Sequence, residues 1–93
     1  MNHNRVAERI IVSGKVQGVA FRAYAREQAE IVGIVGYVQN LPDGTVEIWA
    51  EGEQDAVEEM KDWCKHGPVL ADVFEVHSNP VALEGFISFD IRR

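Results

Sequence analysis

Apolar residues recur with two different periods in the first third of the chain, and each period predicts one type of element. The run "ERIIVSG" at 8–14 is rich in β-branched residues and ends at a glycine, which predicts a strand. From Phe21 to Val32 the apolar positions recur every three or four residues, which predicts a helix with one buried face. Gly33 is expected to end that helix.

A hairpin is predicted next. "IVGYVQN" at 34–40 and "TVEIWAEG" at 45–52 read as strands, and "LPDG" between them is a turn in which Pro42 presets φ and Gly44 supplies a positive φ. The second strand alternates, so its apolar face is expected to pack inward and its other face to meet solvent. The inward set is Val46, Ile48 and Ala50, and the outward set is Thr45, Glu47 and Trp49.

The remaining elements complete a familiar order. "EQDAVEEMKDWCKHG" at 53–67 predicts a second helix ended by Gly67 and Pro68, and "VFEVHS" and "GFISFDIRR" predict two further strands. This order predicts an α+β fold, a ferredoxin-like split βαβ sandwich. We expect an antiparallel sheet of four to five strands with two helices on one face. Residues 1–93 form one domain in this interpretation, with 1–6 as a flexible arm.

Charge narrows the choice of partners. The net charge of −6 disfavours nucleic acid as a partner. Residues 1–26 nevertheless hold five basic residues against one acid, so this segment is the one basic region and suits a small anion. An acidic surface with a basic corner is the plainer interpretation. No apolar run approaches the ~20 residues of a membrane span, so we expect no membrane association.

Cys64 is the single cysteine and cannot form an intrachain disulfide. With no signal-peptide pattern at the start of the sequence, a cytoplasmic protein is expected. The small size and charged surface predict a monomer. His3, His66 and His77 share no ligand spacing and Cys64 falls on the apolar side of a helix, so metal and thiol chemistry are both disfavoured.

The connection between the first strand and the first helix carries the candidate chemistry. Gly14 and Gly18 bracket it, and a glycine loop before a helix N-terminus can turn several N–H groups toward one anion. Arg22 lies at that positive helix end, where a cation is unfavourable unless an anion lies between. The alternatives are an ordinary flexible loop and an arginine that points to solvent or pairs with a surface acid.

Two motifs carry a family resemblance. "GKVQGVAFR" is similar to the first signature of the acylphosphatases, and "GYVQNLPDGTVEIWAEG" resembles their second. The resemblance runs from about residue 8 to residue 91. It implies an acylphosphatase, EC 3.6.1.7, which hydrolyses the carboxyl–phosphate bond of small acyl phosphates to a carboxylate and inorganic phosphate, with no metal or cofactor.

The resemblance also implies roles for individual residues. Arg22 would bind the phosphate, and Asn40 would position the attacking water. Backbone N–H groups of one loop would cradle the phosphate, and that loop consists of Lys15, Val16, Gln17, Gly18, Val19 and Ala20. Asn40 has an alternative as a turn residue bonded to its own backbone. Asp72 stands at a position that is often basic in the family, which predicts slower association with an anionic substrate.

Two other functions remain as alternatives. A non-catalytic anion-binding or regulatory module could share the fold and the loop, since fold does not settle function. RNA binding on the open sheet face would need aromatic residues on the central strands and a basic surface. The first strand supplies neither aromatic residues nor strong positive charge, so RNA is the least favoured of the three.

Overall fold

The computed structural model describes residues 4–93, and it contains five strands and two helices in a single layered unit. The predicted arm lies partly outside the described residues, and β1 already begins at Arg5, whose Cα partner is Glu53 in β3. The elements are β1 (Arg5–Lys15), α1 (Phe21–Val32), β2 (Val35–Asn40), β3 (Val46–Glu53), α2 (Gln54–Cys64), β4 (Asp72–Val81) and β5 (Phe89–Arg92).

The sheet has the order β4-β1-β3-β2-β5 and is mixed, which corrects the antiparallel sheet of the sequence prediction. β2 and β5 pair in parallel, with Tyr37 opposite Asp90, whereas the other neighbours are antiparallel. The reason lies in the β4–β5 connection, which crosses the sheet face and brings Phe86 against Tyr37 and Trp49. The chain reverses in that connection, so β5 runs opposite to β4 and in the same direction as β2.

Both helices pack on one face of the sheet and enclose the apolar core. The predicted buried face of the first helix is confirmed, because α1 buries Phe21, Ala25 and Ala29. The helix ends at Gly33, which is in the left-handed conformation. Complete burial of a large apolar side chain stabilises a fold by about 1.5–3 kcal/mol. The fully buried members from the sheet and α2 are Ile10, Val12, Val38, Val46, Ile48, Ala50, Val57, Met60 and Cys64.

Cys64 occupies the core position that the sequence indicated. Its side chain is fully buried, and burial raises the pKa of the thiol far above its ordinary value. A thiol is inert as a nucleophile when its pKa is raised in this way, because the thiolate is the reactive form. Cys64 therefore contributes packing.

The other sheet face differs from the prediction, because two carboxylates of β3 are buried there. Glu47 and Glu51 are only 4% and 1% exposed. Glu47 accepts hydrogen bonds from Arg9 and Gln39, and Glu51 accepts bonds from the Trp49 indole at 2.8 Å and from two backbone N–H groups of the β4–β5 connection. Burial would raise the pKa of each carboxyl, but these hydrogen bonds outweigh it and lower both pKa values.

Candidate active site

The β1–α1 loop is anchored by its side chains and strained in its backbone. Val16 and Val19 are 1% and 6% exposed, so their side chains hold the loop to the core. Gly18 has φ of 75° and Ala20 has φ of 62°. Ala20 is the one non-glycine residue with positive φ among residues 4–93, and this conformation costs roughly 1–2 kcal/mol. Strain of this kind is commonly held at ligand-binding positions.

The backbone N–H groups of this loop lack partners. Between Val16 and Ala20, no N–H donates a hydrogen bond to any acceptor within residues 4–93. The first N–H groups of α1, which follows at Phe21, have no helical acceptor either, as at any helix start. A loop with unpaired donors that leads into a helix N-terminus is an anion-binding arrangement.

Arg22 is held by the last strand. Its Nη1 donates to the carbonyl oxygen of Arg92 at 3.0 Å, and the parallel pairing of β5 with β2 places Arg92 opposite Gln39. Within the described part of the chain, no carboxylate forms an ion pair with Arg22. The alternative of pairing with a surface acid is therefore not observed, and the guanidinium is oriented with its charge uncompensated.

Asn40 is the last residue of β2, and its side chain is free of the turn that follows. That turn is closed instead by Asp43, whose Oδ1 accepts from the Thr45 N–H at 3.0 Å and from the Thr45 hydroxyl at 2.6 Å. Within residues 4–93, no hydrogen bond engages the Asn40 side-chain amide. The turn-residue alternative for Asn40 is therefore not observed.

Gln17 has a side-chain role that the sequence did not reveal. Its Nε2 donates to the carbonyl oxygens of Leu41 and Thr45, both at 2.9 Å. These two bonds join the glycine loop to the turn immediately after Asn40. No local pattern signals them, because the partners lie 24 and 28 residues away along the chain.

One cavity brings most of the predicted residues together. It has a volume of about 190 Å³, and Arg22 and Asn40 line it with the loop residues Val16, Gly18 and Ala20. The side chains of Lys15, Gln17 and Val19 lie outside its lining. Sequence reasoning missed Ile91 and Arg93, which β5 and its C-terminal end contribute. The full lining is Val16, Gly18, Ala20, Phe21, Arg22, Ala23, Asn40, Ile91 and Arg93.

The cavity is positively charged. Two arginines line it and no Asp or Glu side chain does. Among the described residues, no group of three or more His, Cys, Asp or Glu side chains is arranged to hold a metal ion, and no helix is long and apolar enough to cross a membrane. His77 is engaged with Glu75 at 3.0 Å, and His3 lies outside the described residues. The arrangement is suited to holding a small anion beside an uncommitted amide.

Comparison with known proteins decides the family. Residues 8–91 match the family model described as acylphosphatase. The chain belongs to the acylphosphatase family. A curated acylphosphatase of Acaryochloris marina is 43% identical over 93 residues, which is the full length of both chains. A second, from Nitrosococcus oceani, is 45% identical over 84 residues and covers 90% of this chain and 94% of its own.

Solved structures agree with this assignment. An acylphosphatase from Coxiella burnetii superposes with a TM-score of 0.93 at 38% identity and covers 96% of this chain and 94% of its own. The acylphosphatase from Bacillus subtilis gives 0.92 at 36% identity, covering 95% and 99%. The ferredoxin-like α+β class predicted from the sequence is confirmed. The predicted enzyme class, an acylphosphatase of EC 3.6.1.7, is confirmed by the full-length relatives.

Proposed function

We propose that this enzyme hydrolyses small acyl phosphates in the cavity between the β1–α1 loop and Asn40. Water attacks phosphorus, the bond between phosphorus and the carboxyl oxygen breaks, and the carboxylate leaves with the electron pair. The products are a carboxylate and inorganic phosphate. The observation that carries the proposal is the convergence, on one cavity, of unpaired loop N–H groups, the uncompensated Arg22 and the unengaged Asn40 amide.

The phosphoryl group is held by the loop and Arg22. Its equatorial oxygens carry most of the negative charge in the transition state, and fixed donors stabilise that charge without reorganisation. The N–H groups of the Lys15–Ala20 loop supply short-range donors. Arg22 supplies a planar pair of donors with a full charge, and its bond to the Arg92 carbonyl oxygen fixes the guanidinium direction.

The Asn40 amide positions the nucleophile. An amide can accept one hydrogen bond from water and donate another, so it can orient a lone pair toward phosphorus without removing a proton. Removing one such preorganised group typically costs about 10²–10³ in rate. The Gln17 bonds to the turn after Asn40 fix the position of this amide relative to the loop that holds the phosphate.

The leaving group explains why no acid residue lines the cavity. A carboxylate is the conjugate base of an acid with a pKa of about 4, so it departs at neutral pH without a proton donor. The reaction we propose needs neither metal nor cofactor, because Arg22 and the N–H groups carry the charge stabilisation. We also propose that the enzyme acts as a cytoplasmic monomer, which is consistent with a core completed within one chain.

A non-catalytic anion-binding module is the competing function. Such a module would use the loop and Arg22 but would have no need of Asn40. Asn40 lines the same cavity, and its side-chain amide lacks any partner in the described part of the chain, which favours the enzyme. RNA binding receives no support, because Glu47 and Glu51 put negative charge on the open sheet face and Phe86 packs over its aromatic residues.

The test is hydrolysis of benzoyl phosphate in EDTA by the wild type, Arg22→Ala and Asn40→Ala. We expect turnover in EDTA and a loss of at least about 10²-fold in kcat/KM in each variant. Arg26→Ala and Asn79→Ala are matched controls, since both side chains are exposed on α1 and β4 away from the cavity. A folded wild type without turnover, but with phosphate binding that Arg22→Ala abolishes, would establish the binding module instead.

A further inference from the structure

A second concavity adjoins the phosphate cavity and is apolar. It has a volume of about 360 Å³, within the range of sites for small molecules, and lies between α1 and the α2–β4 loop. We refer to it as the apolar groove. Its lining is Val19, Ala20, Tyr24, Glu27, Gln28, Trp63, Gly67, Pro68, Val69 and Leu70.

Three of the side chains that line the apolar groove are apolar and lie outside the core. Val69 is 99% exposed, Leu70 is 71% exposed and Tyr24 is 51% exposed. Scattered apolar side chains at a surface are ordinary, but here three line one concavity. The groove therefore offers area that an apolar ligand group can cover.

The α2–β4 loop is fixed to the start of α1, so the groove is preformed. A Cβ at Gly67 would lie 2.9 Å from the Phe21 ring, which shows how closely the loop backbone approaches the first residue of α1. The Phe21 ring in turn meets Trp63 edge to face at 5.2 Å. The Ala71 N–H donates to the Pro68 carbonyl oxygen at 2.9 Å and closes the turn that carries Val69 and Leu70.

The groove is continuous with the phosphate cavity through Ala20, which lines both. Asn40 lines the cavity but not the groove. In an in-line displacement the attacking water and the leaving oxygen lie on opposite sides of phosphorus. If Asn40 holds the water, the leaving carboxyl group points away from β2. The apolar groove is the concavity that shares Ala20 with the cavity and does not include Asn40 in its lining.

The charge of the groove selects among acyl groups. Glu27 is the one ionisable acid in its lining, and no basic residue accompanies it. A second negative charge on the acyl group would therefore be repelled, and an apolar ring or branched chain would not.

We propose that the apolar groove is the acyl subsite of the enzyme and that it favours acyl phosphates with a bulky, uncharged apolar acyl group. The inference rests on the proposed function, because it assigns the part of the substrate that the phosphate cavity does not hold. Phosphate binding in the cavity and acyl binding in the groove use different residues, with Ala20 shared.

The test compares benzoyl phosphate, acetyl phosphate and succinyl phosphate. In the wild type we expect kcat/KM to be highest for the benzoyl substrate. The double variant Val69→Ser/Leu70→Ser should lower the ratio of benzoyl to acetyl kcat/KM by about fivefold to tenfold through KM, less than the 10–200-fold that a closed pocket gains per methylene. Glu27→Gln should raise kcat/KM for succinyl phosphate by about threefold, because like-charge repulsion is removed.

A matched control is Ile87→Ser, which removes a highly exposed apolar side chain of the β4–β5 connection that does not line the groove. It should leave the benzoyl-to-acetyl ratio unchanged. Thermal unfolding of the double variant checks that folding is retained, which we expect because both replaced side chains are exposed.

A second measurement compares the binding of phenylphosphonate and methylphosphonate by calorimetry. Together with the hydrolysis assays, it distinguishes a failure of the proposed function from a failure of the groove assignment. The proposed function fails if the folded wild type hydrolyses none of the three substrates. The groove assignment alone fails if the wild type hydrolyses benzoyl and acetyl phosphate but the double variant leaves their ratio unchanged. It also fails if phenylphosphonate binds no more tightly than methylphosphonate.

Discussion

The β1–α1 loop and the β2–β3 turn lie side by side, yet they differ in whether their backbone groups are hydrogen-bonded. The turn forms hydrogen bonds within itself. Leu41 N–H donates to Thr45 O, Gly44 N–H donates to Leu41 O, and the Asp43 carboxylate accepts from Thr45. The loop leaves the N–H groups of Val16 to Ala20 without acceptors in residues 4–93. Gln17 joins the two by donating to the turn's carbonyl oxygens.

This difference separates a structural connection from a functional one. Both segments contain a glycine with positive φ, so backbone conformation alone does not distinguish them. The loop differs from the turn because its backbone N–H groups lack acceptors, and a bound anion can supply them. The turn closes the hairpin and presents Asn40. In the proposed function, the substrate completes the hydrogen bonding of the loop.

The largest expected effect comes from matched glycine substitutions. Gly18 and Gly44 have φ of 75° and 92°, and no atom lies within 4 Å of a Cβ built at either. Gly18→Val and Gly44→Val should each lower the free energy of unfolding by about 1–3 kcal/mol through backbone strain. Gly18→Val should also lower kcat/KM by at least about 10²-fold, because the phosphate-binding N–H groups move. Equal activity losses in the two variants would contradict the contrast between loop and turn.

The second prediction cuts the link between the segments. Gln17→Leu removes two hydrogen bonds, so the free energy of unfolding should fall by about 1–2 kcal/mol. The kcat should fall by about 10–100-fold, because Asn40 is no longer held in a fixed position relative to the loop. The dissociation constant for inorganic phosphate should change little. A large rise in that constant with an unchanged kcat would show that Gln17 serves the loop alone. Gln54→Leu, which loses one exposed bond to Asn4, is the control.

The third prediction concerns inorganic phosphate as an acceptor for the loop N–H groups. Inorganic phosphate at ten times its dissociation constant should stabilise the wild type by about 1.4 kcal/mol. For a domain of this size that corresponds to a rise in Tm of roughly 5–10 °C. Sodium chloride at equal ionic strength should give a much smaller rise, and Arg22→Ala should lose most of the phosphate effect. An equal rise in the variant would place the anion elsewhere.

The smallest expected effect concerns the turn. Hydrogen bonds from the Thr45 hydroxyl and then from its backbone N–H lower the pKa of Asp43. Because the folded pKa lies below the unfolded value, this stabilisation is complete above about pH 4 and is lost as pH falls through the folded pKa. The difference in urea midpoint between wild type and Asp43→Asn should therefore shrink from pH 6 to pH 2.5. A constant difference would show that the carboxylate does not hold the turn.

Local signals in the sequence predicted most of the fold. The helix phases followed from apolar spacing, and the hairpin followed from the "LPDG" turn between two β-rich runs. The two motifs pointed to Arg22, Asn40 and the loop, and the structure gathers Arg22, Asn40 and part of the loop around one cavity. The helices and the hairpin are readable because their causes lie within a few residues of each other, whereas the roles of the site residues followed from the family resemblance.

The features that the sequence did not predict all depend on distant partners. The parallel pairing of β5 brings Arg93 into the cavity lining and the Arg92 carbonyl oxygen to Arg22, although both residues belong to the acidic part of the chain. Glu47 was expected in solvent because alternation places it opposite the core. It is buried because other strands supply Arg9 and Gln39 as donors. No periodicity along one strand carries this information.

The interior position of β1, between β4 and β3, has a consequence for folding kinetics. The first strand pairs with β3 and with β4, so Ala7 lies opposite both Glu51 and Val81. Such non-local pairing requires large loops to close before contacts form, and folding on the scale of milliseconds to seconds is typical of this topology. Arg22 acquires its backbone partner only when β5 docks beside β2. In a refolding experiment, recovery of turnover should therefore lag behind the helical circular-dichroism signal and report the docking of the last strand.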